Sequence, residues 1–211
     1  TVQPMAFAGG LAGGGLAYVM AWRGGVTPGR LALAGIAVTS MLTAVTSGIL
    51  VTSAFSAQNG LRWLIGGLSF RNWEDFWLLL PYFLAGSVVA LLMARQLNVI
   101  ALGDDVAAGL GQHVQRTRLA LTGIAALLAS SAVSISGLIG FVGLIVPHIV
   151  RLVIGNDYRF LIPTAALFGA MLIVLADTAA RTVFDPHELP VGVFTAVMGG
   201  PVFILLVRRR A

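Results

Sequence analysis

The sequence has no cysteine and no lysine, and only eight acidic residues in 211. Without cysteine there are no disulfides, thiol nucleophiles or thiolate metal sites, and the compartment is left open. Without lysine there is no phosphate-binding loop of the G-x-x-x-x-G-K-[ST] type, so the chain is not its own ATPase of that kind. Only 10% of the residues are charged while 58% are hydrophobic, whereas soluble domains carry roughly one quarter charged residues. The chain is therefore an integral membrane protein. The net charge of +5 comes from 13 basic residues, all arginines. They lie at the ends of apolar runs, as expected in a membrane protein, and do not signal nucleic-acid binding.

Uncharged runs occupy 1–22, 31–61, 76–94, 119–150, 160–176 and 189–207. Their lengths suit helices rather than the roughly ten-residue alternating strands of a barrel. An all-α membrane fold is expected, with residues 1–211 forming a single transmembrane domain.

The 119–150 run decides the topology. It is 32 residues long, and one crossing needs about 20. It is either one overlong, tilted helix or two crossings joined by a turn within Ser134–Gly143. One crossing gives six spans and divides the arginines six against seven. Two crossings give seven spans, with ten arginines on one side and only Arg62, Arg71 and Arg181 on the other. Positive loops face the cytoplasm, so seven spans are expected. The C-terminal Arg208–Arg210 is then cytoplasmic and Thr1 external. The spans are 3–22, 31–53, 76–94, 119–136, 142–155, 160–181 and 190–207. The fifth is short and contains Pro147. Residues 58–73 are too polar and glycine-rich to cross, and are expected to form an external half-helix.

Four segments carry functional candidates. The first span holds Gly9, Gly10, Gly13, Gly14 and Gly15, whose G-x-x-x-G spacings let helix backbones approach closely in lipid. Intramolecular packing is the plain explanation and a subunit interface the other. The second span carries Thr39, Ser40, Thr43, Thr46 and Ser47 along one stripe. Such hydroxyls either bond back to their own helix or line a polar path. The interruption 98–118 faces the basic side. Within it Asp104 and Asp105 lie at a helix start, where they favour the dipole. Val106, Ala107, Leu110 and Val114 form an apolar stripe, and Gly109 and Gly111 divide the segment. It either rests on lipid headgroups or docks a cytoplasmic partner. Asp177 and Arg181 are spaced for an intrahelical pair. His148 and His187 have no ligand-spaced partners, so no metal is assigned.

Together, GLIGFVGLIVPHIVRLVIGNDYR (137–159), LFGAMLIVLADTAAR (167–181) and LPVGVFTAVMGGPVFILLVRR (189–209) resemble the permease subunits of bacterial ABC importers for iron–siderophores, haem and cobalamin (FecCD type). LNVIALGDDVAAGLGQHVQRTR (97–118) is similar to that family's cytoplasmic loop. The resemblance implies a ten-helix permease of the bacterial inner membrane, of which this chain matches helices four to ten. About three N-terminal helices are expected to be missing. It also implies a second permease subunit, two cytoplasmic ATPase subunits and an extracytoplasmic binding protein. No cofactor is expected here, since ATP and magnesium sit on the partner ATPase. Leu102, Gly103, Asp104, Asp105, Ala107, Leu110 and Gly111 would couple to the ATPase. Arg181, with Arg62 and Arg71, would dock the binding protein, and the Thr39–Ser47 hydroxyls would line the path.

A secondary transporter driven by an ion gradient is the competing class. It would place coupling carboxylates near the midplane, whereas all eight acidic residues lie in loops or at span ends. A membrane enzyme fits less well, because no His, Asp or Glu cluster converges inside the bilayer. Iron–siderophore is the first choice of substrate, with haem and cobalamin as alternatives.

Overall fold

The computed structural model describes residues 2–52, 60, 64–69, 71–183 and 189–208, the last six as helix backbone only. Among these residues the regular elements are all helical. In chain order they are α1 (Val2–Ala21), α2 (Pro28–Thr52), α3 (Trp73–Leu92), α4 (Ala94–Ile100), α5 (Asp104–Gly109), α6 (Val114–Ser136), α7 (Val142–Ile154), α8 (Tyr158–Thr182) and α9 (Val191–Arg208). Local chemistry accounts for several starts. Pro28 opens α2, where a missing N–H costs nothing. Glu74 and Asp75 lie in the first turn of α3, against the positive end of its dipole. Asp157 caps α8, its carboxylate accepting the Arg159 N–H at 3.0 Å.

Helices α1, α2, α3, α6 and α8 are each long and apolar enough to cross a membrane. α7 and the 191–202 part of α9 are shorter apolar helices. The 13 residues of α7 reach about 20 Å at 1.5 Å per residue, short of a hydrocarbon core of about 30 Å. Proline interrupts four apolar helices, at Pro81, Pro147, Pro163 and Pro201. Membrane helices tolerate this where neighbouring helices satisfy the freed carbonyl.

The long uncharged run is not one helix. α6 ends at Ser136, and α7 begins at Val142 after Phe141 at φ 66°. Gly137 at φ 69° and Phe141 both lie in the left-handed region, which a right-handed helix cannot pass through. The alternative of a single overlong helix is thereby excluded. Residues 58–73, expected to form an external half-helix, lie largely outside the described residues.

The chain divides into two compact units. The first contains residues 1–61 and 74–135. Here α1 meets α2 around buried Tyr18, Ala21 and Val26, with Leu31 and Ala34 packed against them. α1 also meets α6. A β-carbon on Gly10 would stand 2.6 Å from the Ser130 hydroxyl oxygen, and one on Gly14 would stand 3.2 Å from the Ala126 β-carbon. Gly13 faces Leu42 of α2 at 3.6 Å, whereas Gly9 and Gly15 have open space. The glycine spacing thus serves packing within the chain.

The second unit contains residues 62–73 and 136–211. Val146 and Val150 of α7 pack on Leu161 of α8, flanked by Val142, Tyr158, Ala165 and Leu172. Backbone bonds gather three of its segments: Gly67 N–H donates to Ser136 O at 2.8 Å, and Gly192 N–H to Gly66 O at 3.3 Å. A cavity of about 400 Å³ lies among α7, α8 and α9. Phe141, Ile145, Leu172, Phe194 and Met198 are among its almost wholly apolar lining. Its one hydroxyl, Thr195, donates to Gly192 O at 3.1 Å.

Candidate coupling segment, path helix and external arginine

The segment between α3 and α6 is mostly helical. Met93 N–H donates to Val89 O and Leu97 N–H to Met93 O, both at 3.0 Å, so the hydrogen-bond ladder runs from α3 into α4. After the turn 101–103, Asp104 and Asp105 begin α5. α5 ends in a Schellman motif. Gln112 N–H donates to Ala107 O at 3.0 Å, Gly111 N–H donates to Ala108 O at 2.9 Å, and Gly111 has φ 79°. That conformation is cheap only for glycine, which is why the chain can turn sharply into α6 here.

Packing splits the apolar stripe expected for this segment. Ala107 is fully buried, whereas Leu102, Val106 and Leu110 are 63%, 51% and 66% exposed. Val106 lies on α5 and Leu110 at its C-cap, while Leu102 lies in the turn before it. Val114 is half-buried. Gly103, Asp105 and Gly111 are exposed. Asp104 is engaged by Arg118, whose guanidinium reaches its two carboxylate oxygens at 2.8 and 3.2 Å. No sequence pattern pointed to Arg118, because its partners lie far away along the chain.

On α2, Thr39, Ser40, Thr43 and Ser47 are exposed and Thr46 is half-buried. The Thr46 hydroxyl donates to Leu42 O at 2.8 Å, the back-bond that satisfies a hydroxyl in an apolar setting. Only Val38 of α2 is buried, and Leu33, Ile36, Met41 and Val51 are exposed as well. α2 is therefore open around most of its circumference in this chain.

Near the C-terminal end of α8, Arg181 Nε donates to Asp177 Oδ2 at 2.8 Å. The Arg181 side chain remains 39% exposed, so the pair leaves part of the guanidinium accessible. Arg71 is exposed. Arg62 and His187 lie outside the described residues. His148 is half-buried on α7. Among the described residues no three His, Cys, Asp or Glu side chains gather as metal ligands would.

This helical order and apolarity can be set beside known proteins. The model of the FecCD transport family matches residues 1–209. The chain belongs to that family. It is thus a multi-pass membrane protein of a transport family rather than an enzyme. It is 42% identical over 204 residues to the Fe(3+)-citrate import system permease protein YfmD of Bacillus subtilis (strain 168), covering 97% of this chain and 61% of that protein. It is 45% identical over 210 residues to the cobalamin import system permease protein BtuC of Halobacterium salinarum, covering 99% of this chain and 56% of that one. A solved inward-facing transporter assigned to the metal-chelate ABC type superposes with a TM-score of 0.86 at 27% identity. That match covers 99% of this chain and 73% of the solved one. The chain therefore spans little more than half the length of these two curated relatives.

Proposed function

We propose that the chain is membrane permease sequence of a binding-protein-dependent ABC importer, moving a metal chelate inward while separate subunits hydrolyse ATP. The observation that carries this reading is the family match across residues 1–209. One feature of the chain itself adds to it. Leu102, Val106 and Leu110 are exposed apolar side chains on and beside a helix with an acidic start. Aspartates there disfavour anionic headgroups, so a cytoplasmic protein partner suits these side chains better than lipid.

In this reading 98–118 is the cytoplasmic coupling loop, and Leu102, Gly103, Asp104, Asp105, Ala107, Leu110 and Gly111 form it. Ala107 anchors it from inside and the leucines meet the ATPase. ATP binding closes the two ATPases and shifts the loop, rocking the helices between inward- and outward-open states. Two permease subunits enclose the path, with Thr39, Ser40, Thr43, Thr46 and Ser47 of α2 along it. Arg181, Arg62 and Arg71 face outward to the carboxylates of a binding protein. The planar guanidinium suits that contact. The C-terminus lies in the cytoplasm, as the ten-to-three division of arginines requires.

Ferric chelates of the siderophore class are the first substrate choice, on the ferric-citrate relative at 42% identity. Cobalamin is the second, on the relative at 45%, and haem the third. Uptake of radiolabelled ferric siderophore, haem and cobalamin by the complete transporter in proteoliposomes tests the choice. ATP-dependent accumulation of the ferric chelate supports it. Accumulation of cobalamin or haem alone would reassign the substrate.

A further inference from the structure

The turn between α1 and α2 is held from both sides by side chains of α6. Val26 in that turn is fully buried. Its N–H donates to Gln115 Oε1 at 2.9 Å, and its carbonyl accepts from Arg118 Nη1. Gly25 lies at φ 144°, and a β-carbon there would stand 2.8 Å from Gln115 Nε2. A larger residue would be strained at that φ and would displace the Gln115 amide that holds Val26. The same Arg118 guanidinium forks onto the carboxylate of Asp104, the first residue of α5. Its side chain is only 11% exposed, against 47% for Asp104. One nearly buried guanidinium thus joins two elements. They are the short helix that carries the exposed Val106, and the turn that leads within two residues into Pro28 of α2.

Arginine suits this post. Its planar fork spends two N–H groups on the carboxylate and keeps others for the carbonyl, and it stays charged when shielded from water. Lysine could serve either partner but not hold both in fixed geometry. An exposed ion pair adds little to stability. A pair whose cation is shielded and also grips a distant carbonyl fixes one element to another.

We propose that Arg118 is a positioning residue that carries movement of α5 to the 22–27 turn, and so to the start of α2. This rests on the permease reading, in which a partner ATPase moves α5. When α5 is pulled, Asp104 draws the guanidinium, and the Val26 carbonyl follows. Gln115 keeps the Val26 N–H on the same helix, so the turn moves as a unit and the first residues of α2 move with it. The hydroxyl stripe of α2 begins at Thr39, about three turns after Pro28.

The chain has no native cysteine, so single cysteines report cleanly. Gly109→Cys would report α5, where a side chain meets nothing within 4 Å. Thr27→Cys would report the turn, where the native side chain is exposed. In the full-length transporter with its ATPase, thiol-labelling rates are compared with and without trapped ATP. With Arg118 present, both sites should change at least threefold. In Arg118→Gln the change at 109 should persist and the change at 27 should fall below about 1.5-fold. A change at 27 that survives in Arg118→Gln would overturn the relay. So would a chain with Arg118 in which 109 responds and 27 does not, and that result leaves the permease reading intact. No response at 109 would sink the permease reading and the relay with it. Asp104→Asn serves if Arg118→Gln does not insert, because Asp104 is half-exposed. It too should shrink the response at 27, and an undiminished response there would also overturn the relay. Arg118→Lys should restore part of the response, which a tie needed only for folding would not show.

Discussion

A β-carbon built on Gly10 of α1 would stand 2.6 Å from the hydroxyl oxygen of Ser130 on α6. Bare glycine backbone of α1 meets the Ser130 side chain of α6 here, with Gly14 and Ala126 one turn further on. Gly10→Val should therefore force the helices apart, at a cost of about 1–3 kcal/mol for an overpacked contact. Gly9→Val, with open space around the site, should cost much less. Thermal unfolding in detergent compares the two, and equal losses would mean that the contact does not hold the fold.

Ala107 and Leu110 belong to one sequence stripe but have opposite surroundings. Leu110→Asp places a charge on an exposed site, so it should spare membrane insertion and reduce ATP-driven transport by tenfold or more. Ala107→Leu should instead destabilise the protein, because the site is fully buried and has no room for added methylenes. Expression level and transport, measured together, check both. Unchanged transport and ATPase co-purification in Leu110→Asp would leave only a lipid-surface role for α5.

Much of this is legible in the sequence alone. The break in the 119–150 run follows from its length and from arginine counting, and in the structure it is bounded by Gly137 at φ 69° and Phe141 at φ 66°. The helix ends were less legible. α3 runs on into α4 as far as Ile100, and α6 starts at Val114 rather than near 119. An absence of charge marks where lipid begins, but backbone hydrogen bonds continue past it. The split between Ala107 and Leu110 was not legible either, since periodicity gives a face and not what covers it. Least legible was Arg118, whose bond to Val26 spans 92 residues of sequence. No local pattern encodes such a contact.

Arg181 is held by Asp177 and is still 39% exposed, so it can pair within α8 and meet a partner as well. Arg181→Glu should weaken association with the binding protein at least tenfold, and added salt should weaken the unmutated contact. Binding of the labelled binding protein to the complete transporter measures this. An unchanged dissociation constant would end the docking role and leave the local pair alone.

The proposed sidedness rests on the ten-to-three division of the arginines. His113→Cys lies in the segment before α6, and Val183→Cys lies just past α8, where the native side chain is 64% exposed. An impermeant thiol reagent applied to intact cells, with outer-membrane access ensured, should label 183 and not 113. The reverse pattern would invert the topology.

An importer driven by ATP on a partner chain and one driven by an ion gradient differ in a single measurement. Substrate uptake is followed in proteoliposomes holding the complete transporter, first with all ion gradients collapsed. It is then followed with the phosphate-binding lysine of the partner ATPase replaced. Uptake should survive the collapse and disappear with the lysine. Uptake that stops with the gradients and continues without that lysine would contradict an ABC permease outright.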